Sequence, residues 1–327
     1  MTENGRHDPL GEPPIAAGTL AAPQPGGLTT PGSRSHTLGL RVGASIVGGA
    51  VLLALLAPLI APADPNLQGA LLTERLLSPS WTHLLGTDHF ARDVLSRLLY
   101  GARISLMIGV GAVMVSALVG IFIGSLAGFL GGKVDAALMR FVDMILAFPR
   151  LVLLIVLVAL FEPSLGLIVL VIGLTQWPNV ARLVRGEVLS LRQRDFVTAA
   201  RVLGIPESRI LIRHILPNAL PPVFVIAALG VGRAILLEAG LSYLGIGIQP
   251  PAASWGSMIA DGRNYLLDAW WLSTFPGLAI VAVVIGFNLL GDGLRDRMDP
   301  NGVTRNQGPG SGPLNSGEGS RIDGAQR

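Results

Sequence analysis

Apolar and charged residues along this chain separate into long blocks and do not alternate. Uncharged apolar windows cover residues 42–63, 104–130, 163–181, 215–232 and 269–291, and a shorter one covers 151–161. A helix rises about 1.5 Å per residue and the hydrocarbon core of a bilayer is about 30 Å thick, so about 20 apolar residues cross it. Five windows serve as spans. The sixth reaches the length only when 144–149 is added, on the near side of Arg150. The pattern therefore predicts an all-α integral membrane chain of six transmembrane helices. Barrel strands would alternate over about ten residues, and these windows exclude them.

Composition agrees with that reading. Half of the 327 residues are hydrophobic and 14% are charged, with a mean hydropathy of +0.59. Soluble domains carry about 25% charged residues. Cysteine is absent, so no disulfide contributes and the redox compartment is not encoded. Arg34, Arg41, Lys133, Arg140, Arg182, Arg185, Arg192, Arg194, Arg201, Arg209, Arg213, Arg295 and Arg297 fall on one side of a six-span chain. The other side receives Arg75, Arg92, Arg97 and Arg263, with Arg103 at a span entrance. Excess positive charge marks cytoplasmic loops, so both termini are expected inside. Residues 1–38 are rich in Pro and Gly, and 301–327 in Gly, Ser and Asn, so both read as disordered cytoplasmic tails. Between them, 39–100 reads as a first span with an extracytoplasmic segment and 101–300 as the main transmembrane domain. Ala61-Pro62-Ala63 imitates a signal-peptidase site, but the preceding apolar run is too long and too far from the start.

The candidate chemistry lies between the spans. From Arg182 to Arg213 apolar residues recur at helical spacing (Leu183, Val184, Val188, Leu189, then Phe196, Val197, Ala200, Leu203), as in two amphipathic helices on a membrane surface. Within 195–218, Asp195 and Thr198 precede Ala199-Ala200 and Arg201, Gly204 follows four residues after Ala200, then Pro206 and Leu216-Pro217. Small side chains let a short helix sit deep in a groove, and Gly204 permits a tight turn. Pro217 is expected in the first turn of the fifth span, where a missing N–H costs little. A second segment, GTDHFARDVLSRLLYGARISL from Gly86, places Asp88 and Asp93 around Arg92 and reads as a capped amphipathic elbow on the outer leaflet. A third, from Leu241, is too apolar for a free loop and too broken for a span. It suggests a folded outer element, with Tyr243, Trp255, Tyr265, Trp270 and Trp271 as interfacial anchors.

Charges inside spans are functional suspects. Arg233 and Glu238, with Tyr243 and Trp255, are the candidates for a translocation path. Their five-residue spacing is poor for a pair on one helical face. Arg150 reads as snorkelling to the inner surface, and Asp143 and Glu238 read as isolated acids. No catalytic set stands out. The five histidines show no metal-ligand spacing. AGFLGGKV, from Ala127, lacks the first glycine and the Ser/Thr of a phosphate loop. Gly109, Gly111, Gly120, Gly124 and Gly128 permit close helix contact in lipid.

With these segments placed, the chain resembles the permeases of dipeptide, oligopeptide and nickel ABC importers, in particular the second, C-type, of the two paired permeases. The resemblance spans residues 40–300 and rests on GTDHFARDVLSRLLYGARISL, AARVLG with RHILPN, LSYLGIGIQPPAASWGSM, and FPGLAI with FNLLGDGLRDRMDP, in family order. It implies the type I importer permease fold and a cytoplasmic coupling (EAA) loop gripped by an ATPase. It also implies a heterodimer with a second permease, two ATPase subunits that bind and hydrolyse the ATP, and an extracytoplasmic substrate-binding protein in a bacterial cytoplasmic (inner) membrane. This subunit would then be non-catalytic, with no cofactor of its own and no nucleic-acid partner. Two positions depart from the family pattern. Thr198 replaces the usual glutamate of the coupling motif, removing a charge for an ion pair with the ATPase. Ala91 replaces a customary glycine, loosening the turn before Arg92. An importer of nickel or another small solute is the nearest alternative, and an ion-coupled secondary transporter the next. The second would call for paired buried carboxylates or inverted repeats.

Overall fold

A computed structural model describes residues 34–71 and 73–298. The expected tails at 1–38 and 301–327 fall almost wholly outside those residues. The described residues form eleven α-helices: α1 (Arg34–Ile60), α2 (Val94–Leu130), α3 (Gly132–Leu146), α4 (Arg150–Ala159), α5 (Leu165–Arg192), α6 (Asp195–Val202), α7 (Glu207–Ile210), α8 (Leu216–Ala219), α9 (Pro221–Tyr243), α10 (Trp255–Gly262) and α11 (Trp271–Met298). Of these, α1, α2, α5, α9 and α11 are long and apolar enough to cross a membrane, and α3 with α4 forms a sixth, bent span.

The span boundaries differ from the charge-free windows in instructive ways. α2 begins at Val94, ten residues before the window, because Arg97 is buried at its N-terminal end. Asp93 caps it, accepting from the Ser96 N–H at 2.8 Å. α5 runs through Arg182 and Arg185 to Arg192. Both arginines pair with α3, Arg182 with Asp143 and Arg185 Nη2 with Asp135 Oδ2 at 2.7 Å. Asp143 is thus not isolated, and 182–192 is the end of a span, not a surface helix. The third span breaks at Pro149, where α3 and α4 meet at 83°. A proline has no N–H to continue a helix and bars the residue before it from helical geometry. The fifth span starts at Pro221-Pro222, in the first turn where the missing N–H is not needed. Pro217 lies earlier, in the four-residue α8, behind a π turn at Leu211–Ile215.

Helix α2 is the spine, packed along α5 on one side and α9 on the other, while α11 lies between α1 and α9. Glycines set the α2–α5 approach. A Cβ at Gly120 would stand 2.5 Å from Val180 Cβ, and one at Gly128 2.9 Å from the Arg185 carbonyl oxygen. A Cβ at Gly124 would collide with the Ala181 carbonyl. With lipid outside as apolar as the side chains, such close backbone packing holds helices together. Gly124→Val is expected to force the pair apart and destabilise the fold by about 2–3 kcal/mol, in the range of overpacking. Thermal unfolding in detergent reads this directly, and an unchanged midpoint would contradict the packing.

Candidate functional site

The candidate coupling segment is a hook with two faces. Helix α6 opens with Asp195, favourably placed at the positive end of the helix dipole, and is capped at its C-terminus by Leu203. Gly204 then takes φ +73°, a left-handed conformation that side chains resist. Its N–H donates to the Arg201 carbonyl at 2.9 Å and the Ile205 N–H to the Ala200 carbonyl at 3.1 Å. That is the pair of hydrogen bonds of a Schellman stop, completed by apolar packing around Ile205 and Ala200. Pro206 then leads into α7, and Arg201 Nε spans the turn to Glu207 Oε1 at 2.9 Å. The π turn follows directly ahead of Pro217, whose ring clashes with a regular α turn behind it.

The inner face of the hook is fixed. Val197, Ala200, Ile210, Ile215 and Ala219 pack with Val180, Val184 and Val188 of α5 and Val223 of α9. The outer face is apolar and bare: Val202 is 84% exposed and Leu203 78%, with Phe196 and Ile212 also exposed. The periodic set Phe196, Val197, Ala200 and Leu203 therefore divides between the faces. Ala199 and Thr198 lie outside with Gly204 and Pro206, whereas Ala200 is an internal packing residue. Leu216 is half-buried and Pro217 exposed.

At the opposite end, the segment before α2 is a buried ion cluster, not an elbow on the leaflet. Asp88 accepts from Arg92 Nε at 2.6 Å and from the N–H groups of Phe90 and Arg92 at 2.8 and 2.9 Å. Arg97 Nε stands 3.6 Å from the same carboxylate, and Asp261 of α10 faces both guanidiniums at 3.9 and 3.7 Å. Arg92 and Arg97 are buried. Ala91 keeps the tight turn of the customary glycine by adopting φ +58°, at a cost of about 1 kcal/mol. Burial lowers the pKa of His89 below its usual 6.5, outweighing the nearby Asp88 and Asp261 carboxylates. His89 therefore stays neutral at pH 7 and stacks on Tyr265 with ring centroids 5.4 Å apart. A polar recess of about 270 Å³ opens beside it, lined by Tyr243, Gln249, Asp261, Arg263 and Tyr265.

The candidates for the path divide. Glu238 is fully buried and its Oε1 accepts from Ser242 and Ser254 hydroxyls at 2.7 and 2.6 Å, tying α9 to the start of α10. Trp255 is buried, donating from its ring N–H to the Leu98 carbonyl at 3.0 Å, so it is a core residue and not an anchor. Trp271 is likewise buried, whereas Trp270 is half exposed. Tyr243 sits at the recess beside His89, its carbonyl accepting from Arg263 at 2.8 Å. Arg233 does not meet Glu238. It lines a cavity of about 40 Å³ between α2, α5 and α9 together with Arg150, Gln176, Asn179 and Ser116. Arg150 thus turns inward and does not snorkel. Gln176 and Asn179 were missed because uncharged amides in an apolar window leave no mark on a hydropathy pattern.

Comparison with known proteins supports this architecture. Residues 120–301 match the family model described as "Binding-protein-dependent transport system inner membrane component". A probable D,D-dipeptide transport system permease of Escherichia coli K12 is 44% identical over 250 residues, covering 76% of this chain and 83% of the relative. A dipeptide transport system permease of Alkalihalophilus pseudofirmus is 42% identical, covering 79% and 84%. The oligopeptide transport system permease of Bacillus subtilis is 41% identical, covering 82% and 87%. With its bundle of apolar spans and these relatives, the chain belongs to the family of binding-protein-dependent transport system inner membrane components, the C-type permeases of peptide ABC importers among them.

Proposed function

We propose that this chain is one of the two permeases of an ATP-driven importer of di- or oligopeptides, and that its hook is the handle by which an ATPase moves it. The observation that carries the reading is the bare apolar tip of Val202 and Leu203 on a hook whose inner face is locked to α5 and α9. An exposed apolar knob is a cost unless a partner covers it. A rigid base lets a push at the tip reach the spans. The coupling residues are then Asp195, Thr198, Ala199, Ala200, Arg201, Gly204, Pro206, Leu216 and Pro217, in two roles: Ala200 and Leu216 hold the base, the others shape or present the tip.

The finer assembly follows from the same reading. A second permease completes the pathway, two ATPases bind and hydrolyse the nucleotide, and an extracytoplasmic binding protein delivers the peptide. This chain supplies no chemistry and no cofactor. Closure of the ATPases does work only through contacts that differ between the two states. Both termini then lie in the cytoplasm, with Arg295 and Arg297 closing α11 at its negative end. A reporter fused after Arg297 is expected to be cytoplasmic, and an external signal would overturn the topology.

The solute is tested in proteoliposomes containing the whole complex. ATP-dependent accumulation of labelled dipeptides is expected. Accumulation of nickel with no peptide uptake would select the alternative, and uptake driven by an ion gradient without ATP would reject both.

A further inference from the structure

The small cavity between α2, α5 and α9 has a donor set with no acid in it. Arg233 projects from the middle of α9, and Arg150 enters from the break of the third span, at the first turn of α4. Among the described residues, no carboxylate pairs with either guanidinium. Gln176 is 8% exposed, yet its Nε2 has no hydrogen-bond partner. A buried amide donor without an acceptor is a cost that a native fold rarely carries without reason. Two cations in one membrane cavity add a larger one. All three groups only donate at the atoms concerned, and together they call for an anion. The start of α4 contributes its positive dipole end to the same side.

The volume narrows the choice. About 40 Å³ is room for one carboxylate group and not for a whole peptide, so the cavity grips one side chain of a larger solute. We propose that Arg150, Arg233 and Gln176 form a carboxylate-binding subsite halfway across the membrane, which takes the acidic side chain of a passing peptide. The site rests on the peptide-importer reading above and adds a charge preference to it. Planar guanidiniums match a carboxylate with paired hydrogen bonds. Sharing one anion between two cations and an amide keeps the grip loose enough for release when the helices shift.

The test uses the whole complex in proteoliposomes and three labelled dipeptides of similar size, alanyl-glutamate, alanyl-glutamine and alanyl-lysine. In the Arg150→Gln/Arg233→Gln variant, uptake of the glutamate peptide is expected to fall about tenfold relative to the lysine peptide, as loss of charge-assisted hydrogen bonds implies. The change should lie mainly in KM. Arg150→Lys/Arg233→Lys should retain much of the preference. An unchanged ratio of acidic to basic uptake would overturn the subsite while leaving peptide import standing. Loss of the sibling permease from the purified glutamine variant would also overturn it, since the arginines would then be neutralised by an acid of that subunit. Failure of the unaltered complex to take up any of the three would remove the peptide reading itself.

Discussion

Leu203→Asp is expected to abolish ATP-driven uptake while leaving membrane insertion and fold intact. Leu203 has almost no neighbours within its own chain, so its replacement removes little packing here. In the assembled transporter it would stand at the centre of a docking patch with Val202, Phe196 and Ala199. Buried anchors of this kind contribute about 2–4 kcal/mol to an interface. A desolvated charge in their place adds to the loss, so ATPase affinity should fall about 100-fold or more, at 1.4 kcal/mol per decade. Gly204→Asp should act similarly, adding backbone strain of about 1–2 kcal/mol from the left-handed conformation. Nothing lies near Gly204 that a Cβ would strike, so Gly204→Ala isolates the strain and should lose less. Pull-down of the ATPases with the Leu203→Asp variant at the yield of the unaltered chain would count against the hook.

The second large effect is expected at the other end of α2, about 55 Å away by the rise of its 37 residues. Asp88→Ala strips the shared carboxylate from Arg92 and Arg97. Asp261, at 3.9 and 3.7 Å, is too distant to hydrogen-bond either guanidinium. Removing one partner from a buried ion pair costs about 3–5 kcal/mol because the remaining charge stays uncompensated. The same substitution frees the Phe90 and Arg92 N–H groups. Asp88→Asn keeps an acceptor for those donors and should lose less. Unfolding of the detergent-solubilised chain measures both. A loss under about 1 kcal/mol for Asp88→Ala, the range of an exposed pair, would mean that the cluster is hydrated and not structural.

These two regions differ in how far the sequence disclosed them. The hook was legible because its signals are local. A helix-length amphipathic stretch, a glycine after it, then Ile205-Pro206, describe a Schellman stop and a restart wherever they occur. The split of its apolar stripe was not legible, since Ala200 and Leu203 are equally apolar and only the positions of α5 and α9 decide which is covered. Span boundaries failed wherever a charge was taken as an edge. Arg97, Arg182, Arg185, Arg233 and Glu238 all lie within helices that cross. Asp88, Asp143, Asp135 and the Ser242 and Ser254 hydroxyls give four of them partners, and for Arg182 and Arg185 those partners lie on a different helix, far away in sequence. The outer element was anticipated as folded, but its tryptophans were assigned to an interface. Trp255 and Trp271 instead lie in the core against carbonyls from the start of α2 and the segment before it. The inward turn of Arg150 depended on the 83° break, which hydropathy alone does not reveal.

The absence of cysteine offers a direct test of whether the hook touches a motor. A single Leu203→Cys chain, expressed with its transport partners, can be treated in membranes with a short bifunctional thiol–amine reagent. The account predicts a crosslinked band containing an ATPase subunit, diminished when Gly204→Asp is added. Leu59→Cys, exposed on α1, should give no such band. Efficient reaction at Leu203→Cys with lipid or with the sibling permease, and none with an ATPase, would contradict it.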